Sequence, residues 1–343
     1  MLAARLHREF DLRIEELPMP EPGEGEVLLK VKAVGICGSD VHYYAEGRIG
    51  DAVVAEPVIP GHEFSALVEK LGPGVSRVKV GDRVAVDPAR SCGKCEFCLS
   101  GNPNLCPKVE FCGTPPVDGC LLQYMVYPEE NLFPLPESID FAEGAMLEPL
   151  GVAIHAVNLS KMKPADTVAV LGCGPIGLLT LQMARVAGAS RTFATELLLP
   201  RLEMAEKFGA TRVINVREED PVRVIMEETG GRGVDVAFEA AGAQETPQQA
   251  AEIARPGGRV IVIGIPAEDV MVMQASTVRR KGLTIKLVRR MKHTYPRSIA
   301  LVEGGMVDVR SLITHRFPLE RTAEAMELVH NYRDGVIKAL IEL

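Results

Sequence analysis

The sequence has no long run of like charge and no long uninterrupted apolar run. Its 38 Lys and Arg residues against 46 Asp and Glu give a formal net charge of −8, so the basic surface that nucleic acid or an anionic membrane requires is not expected. The most apolar stretch, residues 168–184, is broken by Gly172, Gly174, Pro175 and Gly177, where a spanning helix should be continuous. The amino terminus lacks the apolar core of a secretory signal, so we expect a cytoplasmic protein.

Internal repeats and low-complexity segments are also missing, and the length of 343 residues predicts about two globular domains. Up to about residue 149, short alternating apolar segments between Gly and Pro turns indicate antiparallel β structure. From about residue 150, strands alternate with helix-length segments, which is typical of a parallel sheet covered on both faces in the α/β class. We expect the tail to pack back on the first domain. The predicted domains are therefore 1–149 with 290–343, and 150–289.

A glycine-rich turn follows the apolar segment Val168–Leu171 and precedes an apolar helix. Glycines at this spacing allow a tight turn, a close approach of the backbone to a pyrophosphate and close packing of helix on strand. The turn reads Gly172, Cys173, Gly174, Pro175, Ile176, Gly177. A structural glycine turn with no ligand is the alternative.

Glu196 closes the next predicted strand, nineteen residues after Gly177. Its carboxylate can accept hydrogen bonds from both adenosine ribose hydroxyls and would repel a 2′-phosphate, which favours NAD over NADP. Arg201 lies near enough to contact either a ribose hydroxyl or a phosphate, so use of NADP stays open. A glutamate at the surface with no ligand is the alternative.

Four of the eight cysteines fall within fifteen residues, at Cys92, Cys95, Cys98 and Cys106. In a cytoplasmic chain, cysteines clustered in this way more often bind metal than form disulfides. Four thiolates in one loop suit a closed tetrahedral zinc site, whose role is structural because no position is open to substrate. The alternative is four free cysteines whose spacing is a coincidence.

A second set of possible ligands is dispersed: Cys37, the pair His62 and Glu63, and Glu148. A thiolate, an imidazole and a carboxylate, completed by water, would form an open catalytic zinc site. Taken singly, the same residues can be a buried cysteine, a hydrogen-bonded histidine and a solvated glutamate. Their spacing in the sequence does not show that they converge.

The order of these motifs resembles the zinc-dependent medium-chain alcohol and polyol dehydrogenases over nearly the whole chain. Longer segments resemble the sorbitol (L-iditol 2-) dehydrogenase branch, namely GICGSDVHYY, EGRIGD, FCGTPPVDG, EGAMLEPLGVAIHA and THRFPLE. The resemblance implies a GroES-like catalytic domain and a Rossmann domain, in a homodimer or homotetramer. It also implies oxidation of a sugar alcohol such as sorbitol or xylitol to the ketose, with zinc as Lewis acid and NAD as hydride acceptor.

Carried over by position, the resemblance assigns Cys37, His62 and Glu63 to the catalytic zinc. Glu148 is then an alternative ligand or a hydrogen-bond partner of the zinc-bound water. Ser39 and His42 would relay the proton to solvent. The residues implied to line the polyol pocket are Tyr43, Ile49, Phe111, Thr114 and Arg290.

Two departures from the branch affect these expectations. Animal members lack the four-cysteine site, which is complete here, and this chain reads Arg290-Met291 where such enzymes have Arg-Tyr. Loss of that phenol removes a donor near the polyol and leaves the substrate preference open. The alternatives are a threonine or other secondary-alcohol dehydrogenase, and a non-catalytic NAD-binding sensor, which would be expected to lack the zinc ligands.

Overall fold

The computed structural model describes all 343 residues and divides them into two compact units. The first comprises Met1–Glu148 and Tyr295–Leu343, and the second comprises Pro149–Thr294. The sequence boundary at 290 assigns residues 290–294 to the first unit, whereas the structure groups them with the second. The reason is packing: the side chains of Met291 and Thr294 both lie against Gly151 of the second unit.

The first segment of the chain contains eleven strands. They are β1 (Leu2–Arg8), β2 (Asp11–Glu16), β3 (Glu26–Gly35), β4 (Arg48–Ile49), β5 (Ala52–Val53), β6 (Glu63–Leu71), β7 (Arg83–Val86), β8 (Ala89–Arg90), β9 (Glu110–Phe111), β10 (Tyr124–Pro128) and β11 (Leu132–Pro134). Its helices are α1 (Gly38–Glu46), α2 (Glu96–Leu99) and α3 (Phe141–Ala145), with 3₁₀ turns at Pro103–Leu105 and Glu129–Asn131. The many short strands separated by turns are what the alternating apolar segments predict.

The next segment alternates strands and helices. Its helices are α4 (Leu147–Ser160), α5 (Pro175–Val186), α6 (Leu199–Lys207), α7 (Pro221–Glu228), α8 (Thr246–Ile253) and α9 (Ala275–Lys281). Its strands are β12 (Thr167–Leu171), β13 (Arg191–Glu196), β14 (Arg212–Asn215), β15 (Val234–Glu239), β16 (Ala254–Val262) and β17 (Thr284–Leu287).

These six strands form one parallel sheet in the order β14-β13-β12-β15-β16-β17. This is the doubly wound Rossmann order, in which the chain starts at the centre and builds outward in both directions. The central strands are buried on both faces, and all six residues of β15 are buried, as expected for a parallel sheet covered by helices. The predicted α/β class is confirmed.

The last segment contains α10 (Tyr295–Glu303), β18 (Ile313–Pro318), α11 (Thr322–His330) and β19 (Lys338–Glu342), with 3₁₀ turns at Arg310–Leu312 and Leu319–Arg321. β19 pairs antiparallel with β3, with Ile341 opposite Val34, so the tail completes the main sheet of the first unit. The order of that sheet is β11-β7-β6-β3-β19-β18, and β10 also pairs with β3. None of the helices combines the length and the apolarity needed to cross a bilayer.

Candidate metal and dinucleotide sites

The structure brings Cys92, Cys95, Cys98 and Cys106 together, with their four sulfurs all within 4.8 Å of one another. The segment has little apolar burial of its own, since Leu99 is 76% exposed. A hydrogen bond from the Lys94 amide is the main cause that lowers the pKa of Cys92 to about 6. Four adjacent thiolates repel one another unless a cation lies between them, and four sulfurs in one group suit tetrahedral zinc.

A second group joins Cys37, His62 and Glu63, whose ligand atoms also lie within 4.8 Å of one another. The pairing of two strands brings them together: Cys37 follows β3, Glu63 begins β6, and Glu63 pairs with Gly35 in the β3–β6 ladder. His62 and Glu63 are buried, whereas Cys37 is partly exposed. The convergence that spacing in the sequence could not show is therefore a feature of the fold.

A buried carboxylate, Asp40, holds this group in place. Asp40 Oδ2 accepts a hydrogen bond of 2.9 Å from the Cys37 amide, and Oδ1 accepts one of 3.0 Å from the Gly61 amide. Oδ1 also lies 3.4 Å from His62 Nδ1. A carboxylate on one ring nitrogen leaves the other nitrogen to bind a metal.

The charge of Asp40 is retained despite burial. Burial alone raises its pKa, but the His62 ring and the two backbone amides outweigh burial and hold the pKa of Asp40 below its ordinary value. Sequence reasoning missed this residue. The available signal was its position three residues after Cys37, where an acidic side chain can cap the start of a helix.

Lys338 is the second residue that the sequence did not reveal. Its Nζ donates to both carboxylate oxygens of Glu63, at 2.8 and 2.6 Å, and to the Ile36 carbonyl at 3.0 Å. The two side chains are 2% and 1% exposed. The ammonium group therefore balances the charge of the Glu63 carboxylate beside Cys37 and His62. The only signal in the sequence was one lysine within the apolar segment IKALIEL.

Glu148 lies outside the group of three ligand atoms, although its carboxyl is buried in the first turn of α4. Burial is the main cause that raises the pKa of Glu148 to about 8, and the negative charge of Glu63 acts in the same direction. In its protonated form this carboxyl can donate a hydrogen bond, which an ionised carboxylate cannot.

Helix α1 carries three of the predicted residues. Ser39 and His42 are one helical turn apart and both partly exposed, while Tyr43 is buried in the apolar core of the first unit. His42 Nδ1 lies 3.0 Å from Glu46 Oε1.

The other predicted pocket residues are more scattered. The Phe111 ring packs on the His62 ring with centroids 5.1 Å apart, and the Thr114 amide donates to the Phe111 carbonyl at 3.0 Å. Ile49 lies on β4 and packs against the core. Arg290 belongs to the second unit, where it has a φ of 55°.

The glycine-rich turn joins β12 to α5 in the second unit. Gly172 has a φ of 91°, and a Cβ there would lie 2.7 Å from the Ala241 backbone. A Cβ at Gly177 would fall on the Gly172 carbonyl oxygen, whereas one at Gly174 would meet nothing nearer than Arg201 Nη1 at 3.8 Å. Space is thus left at Gly174, the N-cap of α5, where backbone amides and the helix dipole favour a phosphate. Pro175 and Ile176 form the first turn of that helix.

Glu196 ends β13 beside this turn. Its Oε2 accepts a hydrogen bond of 3.0 Å from the Cys173 amide, and its Oε1 accepts one of 2.7 Å from the Leu197 amide. Arg201 Nη1 lies 3.9 Å from Glu196 Oε2. The carboxylate and the guanidinium therefore lie together beside the turn. In a Rossmann domain, the adenosine ribose of the dinucleotide binds at this position.

Comparison with known proteins agrees with this geometry. Residues 23–137 match the alcohol dehydrogenase GroES-like domain, and residues 175–304 match the zinc-binding dehydrogenase family. Sorbitol dehydrogenase of Bacillus subtilis (strain 168) is 41% identical over 99% of this chain and 97% of that protein. The chain belongs to the zinc-dependent medium-chain dehydrogenase family.

Solved structures show the same relationship. An oxidoreductase of unknown specificity from Escherichia coli is 36% identical to this dehydrogenase with a TM-score of 0.94, covering 99% of this chain and 98% of that one. The 2R,3R-butanediol dehydrogenase of Bacillus subtilis is 33% identical with a TM-score of 0.88, covering 100% and 99%. The predicted family, and the combination of a GroES-like and a Rossmann domain, are confirmed.

The first prediction concerns the buried ion pair of the dehydrogenase. In metal-free protein, Lys338→Met leaves the Glu63 carboxylate buried without its cation, and we expect the free energy of unfolding to fall by about 3–5 kcal/mol. Denaturant titration measures it. The double variant Lys338→Met/Glu63→Leu removes both charges and should recover most of the loss. Equal stability of wild type and Lys338→Met would contradict the assignment.

The second prediction separates two glycines of the dinucleotide turn. Gly174→Ala should leave the melting temperature of the free protein unchanged, yet weaken NAD binding by about tenfold or more, because the added methyl group occupies the space that the pyrophosphate needs. Gly177→Ala should lower both the melting temperature and NAD affinity, since its methyl group displaces α5 from the turn. Calorimetry measures both quantities. Unchanged NAD affinity in Gly174→Ala would show that the cofactor does not approach this turn.

Proposed function

We propose that the protein is an NAD-dependent zinc polyol dehydrogenase that oxidises a sugar alcohol, such as sorbitol or xylitol, to the ketose. The convergence of Cys37, His62 and Glu63 in one group is the observation that carries this proposal. A non-catalytic sensor has no need of such a group. The identity of 41% to a protein named sorbitol dehydrogenase supports the choice of a polyol.

The two groups of ligands fit two kinds of zinc site. Cys37, His62 and Glu63 form a mixed set that leaves a coordination position open, as catalytic sites do, whereas the four-cysteine group is closed and structural. When bound at the open site, zinc supplies a Lewis acid that makes the substrate hydroxyl more acidic. The position of Glu148 outside the group of three ligand atoms supports the role of hydrogen-bond partner rather than ligand.

The remaining residues of the site act on the proton and on the substrate. Ser39 and His42 share one face of α1, and we assign them the transfer of the hydroxyl proton to solvent, since both side chains donate and accept. The pocket is assigned to the residues named from the resemblance. These are Tyr43, Ile49, Phe111, Thr114 and Arg290.

The dinucleotide turn and Glu196 hold the cofactor in this proposal. The amides of the turn and the amino terminus of α5 bind the pyrophosphate, and Glu196 binds the adenosine ribose. Held there, NAD would supply the hydride acceptor for oxidation of the alcohol to the ketose, and the hydroxyl proton would leave through Ser39 and His42. Arg201, close to Glu196, is the residue through which NADP could be used at a lower rate.

A second candidate is oxidation of a different secondary alcohol. Met291 replaces the expected phenol, and its side chain is buried, with its sulfur 3.2 Å from Thr294 Oγ1. It therefore offers no hydroxyl to a polyol. The 33% identity to a 2R,3R-butanediol dehydrogenase makes a small diol, or L-threonine, the substrate to compare with sorbitol.

The proposal is tested by metal content together with activity. We expect two zinc ions per chain and NAD reduction with sorbitol or xylitol. Cys37→Ser should lose one zinc and nearly all turnover while it still binds NAD. The matched variant Cys95→Ser should lose the other zinc. Its melting temperature should fall more than its turnover. Full turnover by Cys37→Ser would overturn the proposed catalytic site, and faster turnover of L-threonine or butanediol would replace the polyol.

We also propose a homodimer or homotetramer in the cytoplasm. β17 is an edge strand of the Rossmann sheet, and Leu287 at its end is 65% exposed. The free edge of a sheet invites pairing with a strand of another chain. None of the eight cysteines forms a disulfide, as is usual for proteins of a reducing compartment.

Light scattering tests the oligomer. Wild type should have the mass of two or four chains, and Leu287→Glu should shift it toward smaller species because the charge would be buried in the interface. As a control, Val80→Glu changes an exposed apolar residue of the first unit outside both ligand groups and should leave the mass unchanged. A monomeric wild type would contradict the proposal.

A further inference from the structure

One side chain next to the proposed proton path has no assigned role. Glu46 is at the carboxyl end of α1, four residues after His42, and its Oε1 lies 3.0 Å from His42 Nδ1. Ser39 is one turn before His42, so the three polar side chains follow one face of the helix. That face begins beside Cys37, the N-cap of α1, and ends at Glu46, whose side chain is 42% exposed.

We propose that Glu46 is a positioning residue for proton transfer through His42. The inference rests on the proposed function, in which His42 passes the substrate proton to solvent. An ionised carboxylate can only accept hydrogen bonds. The neutral imidazole must therefore carry its hydrogen on Nδ1 in order to bond Glu46, and this tautomer leaves the lone pair of Nε2 free to accept an incoming proton.

The transfer is balanced and needs no further reactant. A proton that arrives through Ser39 binds to Nε2 and converts the neutral ring into an imidazolium, which still donates Nδ1–H to Glu46. The carboxylate stabilises the positive ring and prevents its rotation, as the carboxylate of a catalytic triad does for its histidine. The His42 side chain is 26% exposed, so the ring can then release the proton to water.

Two charged groups on the elements packed against α1, Glu327 and Arg48, have other partners. Glu327 of α11 accepts a hydrogen bond of 3.0 Å from Tyr44 Oη and another from Asn331. The Arg48 guanidinium at the start of β4 donates to the Gly50 carbonyl. Glu46 is thus the carboxylate that bonds the His42 ring.

The kinetic test compares Glu46→Gln with a matched control. The single-turnover rate of NADH formation should fall by about tenfold, a part of the 10²–10⁴-fold that a proton-transfer group contributes. KM values for polyol and NAD, and the zinc content, should stay within about twofold, and Glu46→Asp should restore part of the rate. Asp334→Asn is the control, because Asp334 Oδ2 lies 3.2 Å from His315 Nε2 in a similar exposed pair, and it should leave the rate unchanged.

A second readout does not depend on activity. In protein labelled with ¹⁵N-histidine, the neutral His42 ring should carry its hydrogen on Nδ1 in wild type, and a larger fraction should carry it on Nε2 in Glu46→Gln. A wild-type ring with hydrogen on Nε2 overturns the inference, as does a Glu46→Gln rate equal to that of Asp334→Asn. Full activity of His42→Ala on a polyol also overturns the inference, because proton transfer then does not need His42. That result leaves the proposed polyol oxidation intact. A wild type inactive on polyols rejects the proposed function, and the NMR result still decides the role of Glu46.

Discussion

The hydrogen bonds of one buried carboxylate, Asp40, organise the proposed catalytic site. It accepts from the amides of Cys37 and Gly61 and lies against the His62 ring. These residues belong to two parts of the chain, the turn after β3 and the residues before β6. Asp40 therefore fixes Cys37 and His62 relative to each other before any metal binds. This organisation reduces the entropy that the two ligands lose when a metal binds.

Charge balance at the same site comes from a distant part of the chain. Glu63 and Asp40 are buried negative charges beside a thiol, and Lys338 supplies the buried cation from β19. Burial of a lone charge is strongly unfavourable, whereas a paired and hydrogen-bonded charge is tolerated. The carboxyl-terminal segment of the first unit therefore contributes a charge to the site, through Lys338, as well as a strand to the sheet, through β19.

The sequence predicted the features that are local in the chain. The four cysteines, the glycine turn and Glu196 have spacings that a single loop or one strand-turn-helix unit imposes. Lys338 and Glu63 are 275 positions apart, and their contact depends on the pairing of β19 with β3, which no local pattern encodes. The sequence pattern also does not indicate the packing of Met291 and Thr294 on Gly151, because that packing is a tertiary contact.

The position of β19 has a consequence for the order of folding during synthesis. The Rossmann unit is continuous in sequence and can fold as soon as it leaves the ribosome, as domains generally do. The first unit emerges earlier, yet β3 has no β19 beside it and Glu63 has no cation until the whole second unit has been translated. The nascent chain therefore exposes the incomplete sheet and an unpaired acidic pocket for most of translation, an interval in which a chaperone or a metal ion could stabilise it.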